Sequence, residues 1–203
     1  MTERLREKLV LASGSATRRA MLAAAGVDFT VQPADLDEAA LMARLKAEGA
    51  GAADVAARLA AEKALAVSRS HPARPVLGGD SVVAFGTEIL SKCPDLAALR
   101  ALLRRLAGRT HELVSAAALA RDGVLVWQHV GRARMVMRDF SDGFLDAYLA
   151  REGAALLSSV GGYRYEGLGA QLFAAVEGDY FTVLGMPLLP VLAALRKEGV
   201  LPS

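Results

Sequence analysis

Two long apolar runs, Glu112 to Ala120 and Val124 to Met137, flank one turn at Arg121-Asp122-Gly123. That pattern reads as a long β-hairpin, and a hairpin of this kind needs other layers to cover it. The rest of the chain supplies them. Leu9 to Ala12 reads as a buried strand, Thr17 to Ala25 as a helix ended by Gly26, and Phe29 to Gln32 as a strand. Asp35 to Glu38 open a helix from about Ala39 to Glu48, with acids where the helix dipole favours them. Asp54 reads as the cap of a helix to about Ser68, with Val55, Leu59 and Ala66 as its apolar stripe. Pro75 to Gly78 is a short strand, interrupted by Gly79-Asp80-Ser81 and resumed over Val82 to Phe85. Glu88 to Leu90 follows a Gly86-Thr87 turn. Helices then run from Pro94-Asp95 to about Ala107, and from Asp142 to Arg151 behind a Ser141 cap. A strand near Leu172 to Val176, a turn, another strand and a helix over Leu188 to Glu198 close the chain. The expected class is α/β with a mixed sheet, in one domain over residues 1–203.

Of the 203 residues, 53% are hydrophobic and 23% charged, enough to bury a core and too apolar for disorder. The net charge of +2, with 5% aromatics and no recognised motif, gives no support to a nucleic-acid partner. Cys93 is the sole cysteine, which excludes an internal disulfide and a Cys-rich zinc site. His71, His111 and His129 lie far apart, with no metal-binding spacing. A bound metal would therefore rest on carboxylates, water and substrate oxygens. Met1 to Lys8 is charged and the apolar run after it is too short for a signal peptide. Tyr180 to Leu195 is uncharged but shorter than the ~20 residues of a membrane span. A soluble, cytoplasmic protein without a membrane partner is expected.

Three segments could carry chemistry. Ser13-Gly14-Ser15-Ala16-Thr17-Arg18-Arg19 joins a strand to a helix N-terminus. Backbone N–H groups, hydroxyls and two guanidinium groups converge there, as a phosphate chain requires. The plainer reading is a capped helix with exposed arginines. In Gly78-Gly79-Asp80-Ser81, an Asp between apolar segments is costly unless it is paired or metal-bound. Asp80 could hold a divalent cation or take a proton from water, or it could simply satisfy its own turn. In Gly161 to Gly169, four glycines and two tyrosines surround Glu166. Its carboxylate could accept two N–H bonds from a base edge, or be solvated in a surface loop. Elsewhere, Glu62 and Lys63 fall on or beside an apolar stripe, either snorkelling or facing a polar site. Lys92 reads as a surface lysine or a cation for a phosphate, His111 as a strand-edge histidine with a structural hydrogen bond, and Trp127 as core.

In this order the pieces resemble the Maf family, septum-formation-inhibitor-like nucleoside triphosphate pyrophosphatases. The matching residues are Leu11 to Ser15 with Arg18-Arg19, Asp37-Glu38, Arg58 to Ala64, Leu77 to Val82, Lys92 and Leu106 to His111. Gly162-Tyr163, Glu166 to Gly169, Gly178 to Tyr180 and Gly185 to Leu188 continue the match, which spans about residues 9 to 199. The resemblance implies a two-lobed, ITPase-like fold with a mixed, elongated sheet and a cleft between the lobes. It implies hydrolysis of a nucleoside triphosphate to monophosphate and pyrophosphate with Mg²⁺ or Mn²⁺, and a homodimer. By the same resemblance Asp80 is the proton acceptor, and Ser13, Arg18, Arg19, Lys63 and Lys92 face the phosphates. Glu38 stands near the metal with Asp80.

The selectivity positions are Thr17, Ser81 and Glu166. The branch cleaving dTTP and UTP usually shows Arg, Thr and Gln there; the branch cleaving 7-methyl-GTP shows Trp, Gln and Glu. Only Glu166 agrees, and with the second. Cys93 also replaces a usual proline after the lysine. Glu166 is expected to accept from guanine, 7-methylguanine or cytosine rather than from uracil or thymine. The rival readings are a non-catalytic nucleotide-binding regulator of septum formation, and a phosphohydrolase releasing orthophosphate from the chain end.

Overall fold

A computed structural model describes residues 8–202. The charged segment through Glu7, on which most of the signal-peptide reading rests, lies outside the described residues. The hairpin forms as its sequence demands. β5 (Thr110–Arg121) and β6 (Val124–Met137) pair from Thr110 opposite Val136 to Arg121 opposite Val124. Asp122 and Gly123 take φ of 53° and 74°, the positive pair that a two-residue hairpin turn uses. Around it stand β1 (Leu9–Leu11), β2 (Phe29–Val31), β3 (Val76–Phe85), β4 (Glu88–Leu90) and β7 (Phe173–Gly178). The described strands form one sheet in the order β2-β1-β3-β5-β6-β7, with β4 on β3. β1 is parallel to both β2 and β3, and the other pairings are antiparallel, so the sheet is mixed.

The helices are α1 (Ala16–Ala24), α2 (Glu38–Ala47), α3 (Ala52–Ser68), α4 (Leu96–Leu106), α5 (Asp142–Glu152), α6 (Tyr180–Val183) and α7 (Leu188–Lys197). Ser15, Asp37, Asp95, Ser141 and Asp179 each accept a backbone N–H at a helix start. One core cluster joins α4 and α5 to the Met135 end of β6. A second lies between α1, α7 and the sheet, and a third under α2 and α3. β3 runs through both halves, contributing Val83 to the first cluster and Leu77 to the second. Trp127 is half-buried against the second. Among the described residues, no helix is long and apolar enough to cross a membrane.

The structure corrects four local expectations. Gly79-Asp80-Ser81 does not interrupt β3, for these residues lie opposite Ala117, Ala116 and Ser115 of β5 in an unbroken ladder. The glycines serve packing: a Cβ on Gly78 would lie 2.2 Å from the Ala60 carbonyl oxygen, because the backbone of α3 rests on β3. α3 begins at Ala52 behind Gly51, with Asp54 in its first turn, and Lys63 and Val67 continue its buried face in place of Ala66. Tyr180–Val183 is a helix rather than a strand, since Asp179 Oδ2 accepts from Thr182 N at 2.7 Å and Thr182 Oγ1 at 3.0 Å. That cap overrides the strand-like composition of the segment. His111 lies on β5, flanked by β3 and β6, and is buried rather than at an edge.

Candidate active site

A cavity of about 930 Å³ opens where α1, α2, α3 and β3 meet residues 158–166. Ser13, Thr17, Arg18, Glu38, Lys63, Asp80, Ser81, Lys92 and Glu166 all line it. Arg19 is exposed on α1 and does not line it. Six segments distant in sequence thus meet at one place, and each arrives on a different support. β1 ends at Leu11 and leads through Ala12 into Ser13, and Ser15 Oγ accepts from Arg18 N at 3.3 Å, so the N-terminus of α1 opens beside the cavity. Glu38 is the first residue of α2, Lys63 comes from α3, and Asp80 and Ser81 from β3.

At the floor, Lys63 Nζ lies 2.6 Å from Asp80 Oδ1 and 2.8 Å from Glu38 Oε2. The Lys63 and Asp80 side chains are 9% and 10% exposed, and that of Glu38 is 49% exposed. An isolated buried charge would cost several kcal/mol, about 3–5 when a partner is removed, so the ammonium and carboxylate need each other. The alternative for Glu62 and Lys63 is resolved residue by residue. Lys63 faces the polar site, while Glu62 pairs with Arg58 at 2.9 Å along the helix.

Arg18 is buried, contrary to the plainer reading of exposed arginines. Its Nε donates to Gly185 O at 2.8 Å, Nη1 to Ser13 Oγ at 3.2 Å and Nη2 to Ser81 Oγ at 3.0 Å. Ser81 Oγ also lies 2.9 Å from Ser115 Oγ, and Ser115 donates to Thr182 O at 2.9 Å. Burial pushes the Arg18 guanidinium below its ordinary value, against the pull of Asp80 and Glu38. The residue therefore braces α1, β3 and the turn after α6, and only part of its fork faces the cavity. Ser81 is drawn into the same brace. Lys92 is exposed at the cavity wall. Glu166 Oε1 lies 3.5 Å from Arg164 Nε, with its side chain 31% exposed, so it is neither fully solvated nor buried.

The structural hydrogen bond expected of His111 is present, on a partner that the sequence reading did not name. Tyr163 lines the cavity, and its hydroxyl lies 2.8 Å from His111 Nε2. Burial lowers the His111 imidazole to about 4 and pushes the Tyr163 hydroxyl up. A neutral histidine thus holds a cavity-wall tyrosine. The Gly161-Gly162-Tyr163 run was the available signal.

Among the described residues, no cluster of three or more His, Cys, Asp or Glu could cage a metal ion by itself. Asp80 and Glu38 instead present two oxygen donors within reach of one ammonium. A small hard cation such as Mg²⁺ is commonly held by one or two carboxylates, with water and phosphate oxygens completing its shell. The residues present fit that mode.

The family model described as Maf-like protein matches residues 8–198. A relative named 7-methyl-GTP pyrophosphatase, from Mesorhizobium japonicum, is 50% identical over 96% of this chain and 98% of its own. One named nucleoside triphosphate pyrophosphatase, from Rhodospirillum rubrum, is 48% identical over 96% of each. A solved structure of a nucleoside-triphosphatase / dITP/XTP pyrophosphatase from Mycobacterium abscessus is also similar, at 20% identity and a TM-score of 0.41. It matches 74% of this chain and 96% of its own. With the family model covering nearly all of the described residues, the chain belongs to the Maf-like protein family.

Proposed function

We propose that this protein is a nucleoside triphosphate pyrophosphatase, hydrolysing the α–β anhydride to a monophosphate and pyrophosphate. The observation that carries this reading is the buried Lys63, bridged to Asp80 and Glu38 at the floor of a nucleotide-sized cavity. The names of the two relatives point to the same reaction class.

A triphosphate brings several negative charges, and cleavage shifts more onto the leaving pyrophosphate. Preorganised cations stabilise that charge without the reorganisation water would need. Lys63 and Lys92, the remaining face of Arg18 and the N–H groups at the start of α1 supply it here. Ser13 holds Arg18 in place. Asp80 accepts the proton of the attacking water. The new P–O bond forms to that oxygen, the α–β bridge breaks, and the electron pair leaves with pyrophosphate. Asp80 and Glu38 would hold Mg²⁺ or Mn²⁺, which when bound neutralises phosphate oxygens.

In the same cavity, Glu166 accepts N–H bonds from the base. Guanine and 7-methylguanine present N1–H and the 2-amino group on one edge, and cytosine an amino group; uracil and thymine present fewer donors. The 7-methyl-GTP relative supports a guanine-type base. The test is turnover of a panel of nucleoside triphosphates with Mg²⁺ or Mn²⁺ and with chelator. The reading expects guanine-type nucleotides to lead, dTTP and UTP to trail, and chelator to stop the reaction. Equal rates across the panel would refute the role of Glu166, and undiminished rates in chelator the role of the metal.

A further inference from the structure

Beside the active-site cavity lies a second chamber of about 670 Å³, between α1 and α7. Ala20 and Ala24, one helical turn apart on α1, form one wall, and Phe181, Leu188 and Leu192 form the other. The alanines leave room that longer side chains would fill. Thr17, Arg164, Glu166 and Leu184 line both spaces. The two spaces therefore adjoin at Glu166, and the polar side chains that line the chamber stand at that shared wall.

We infer that this chamber receives an apolar substituent on the base, so that the substrate class includes nucleoside triphosphates carrying a bulky alkyl or aryl adduct. This rests on the reading of the larger cavity as a nucleotide site. With phosphates at Lys63 and the base at Glu166, a group on the base edge nearest Thr17 points toward the chamber mouth. Thr17 is small enough to leave the passage open. The lining beyond the mouth has nothing to offer a phosphate or a sugar hydroxyl, which favours hydrocarbon over a second nucleotide. A chamber of this volume also exceeds what a methyl group fills, so a benzyl group is the better match. Each methylene taken from water contributes about a fourfold gain in binding.

The experiment compares KM for GTP, 7-methyl-GTP, 7-benzyl-GTP and N2-benzyl-GTP on the full chain, with Ala20→Phe as the variant that fills the chamber. Ala20 is exposed and lies outside the larger cavity, so this change leaves the fold and GTP turnover intact. At least one benzyl nucleotide is expected to show a KM about tenfold or more below that of GTP, and Ala20→Phe to erase the difference. GTP turnover with no benzyl preference overturns the chamber's role and leaves the reaction standing. A benzyl preference that survives Ala20→Phe places the substituent elsewhere and also overturns it. A change of oligomeric state in Ala20→Phe without a change in KM assigns the chamber to a second copy of the chain instead. Absence of turnover on every nucleotide removes the underlying reading and this inference with it.

Discussion

Lys63 Nζ lies 2.6 Å from Asp80 Oδ1, and this contact ties the longest helix to the central strand at the floor of the cavity. The two residues are 17 apart in sequence, and both side chains are almost wholly withdrawn from water. The strand can carry an acid there because the helix brings the cation, and the helix can come that close because Gly78 has no Cβ.

Replacing either partner is expected to give different results. Asp80→Asn keeps an oxygen for Lys63 to donate to but cannot take a proton. It should lose less stability than Lys63→Met, because Glu38 still pairs with Lys63, and at least ~10²-fold in kcat. Lys63→Met leaves Asp80 buried without its cation and should cost about 3 kcal/mol of stability as well as activity. Urea midpoints and steady-state rates on the two variants separate the effects. Near-normal turnover in Asp80→Asn would remove Asp80 from its role.

Gly78→Ala and Gly79→Ala should also part company. At Gly78 the new methyl meets helix backbone at 2.2 Å, so α3 must move, and a loss of at least ~2 kcal/mol is expected. At Gly79 it meets Arg18 Nε at 3.1 Å and Cδ at 3.2 Å. The brace shifts rather than the helix, so activity should suffer more than the unfolding midpoint.

His111 predicts a pH dependence with a definite sign. Burial lowers its folded value to about 4, from an ordinary value near 6.5. The unfolded chain then binds the proton first. Stability is full above about pH 6.5 and declines as pH falls toward 4, by about 2 kcal/mol at pH 4.5. In His111→Gln the difference between unfolding free energies at pH 7 and pH 4.5 should shrink by that amount. An unchanged difference would show that other groups govern the acid limb.

Glu166→Gln should narrow the gap between guanine-type nucleotides and UTP by about tenfold, the value of one charged hydrogen bond. The check is kcat/KM for both substrates. An unchanged ranking would mean that the base is read elsewhere.

Much of this arrangement was legible before the fold was known. The Ser13–Arg18 loop, Asp80, Lys63 and Glu166 stand out because each puts polar groups where apolar or glycine-rich sequence surrounds them, and all of them reach one cavity. What stayed hidden depends on distant partners. Gly79-Asp80-Ser81 reads as a break in a strand, since nothing local says that β5 will pair with it. Arg18 looked like a free phosphate ligand, because its carbonyl acceptor, Gly185, is 167 residues away. His111 gave no sign that Tyr163, 52 residues on, would be its partner. Tyr180–Val183 was misread because a single capping aspartate outweighed the strand-like composition of four residues.

The most direct test resolves every product formed from 7-methyl-GTP and GTP by the pure protein with Mg²⁺ in ¹⁸O-labelled water. The account predicts the monophosphate and pyrophosphate, with one labelled oxygen entering at the cleaved α–β bond. Diphosphate with labelled orthophosphate would move the chemistry to the end of the chain, and tight binding without any product would make the protein a nucleotide-binding regulator; either result contradicts it.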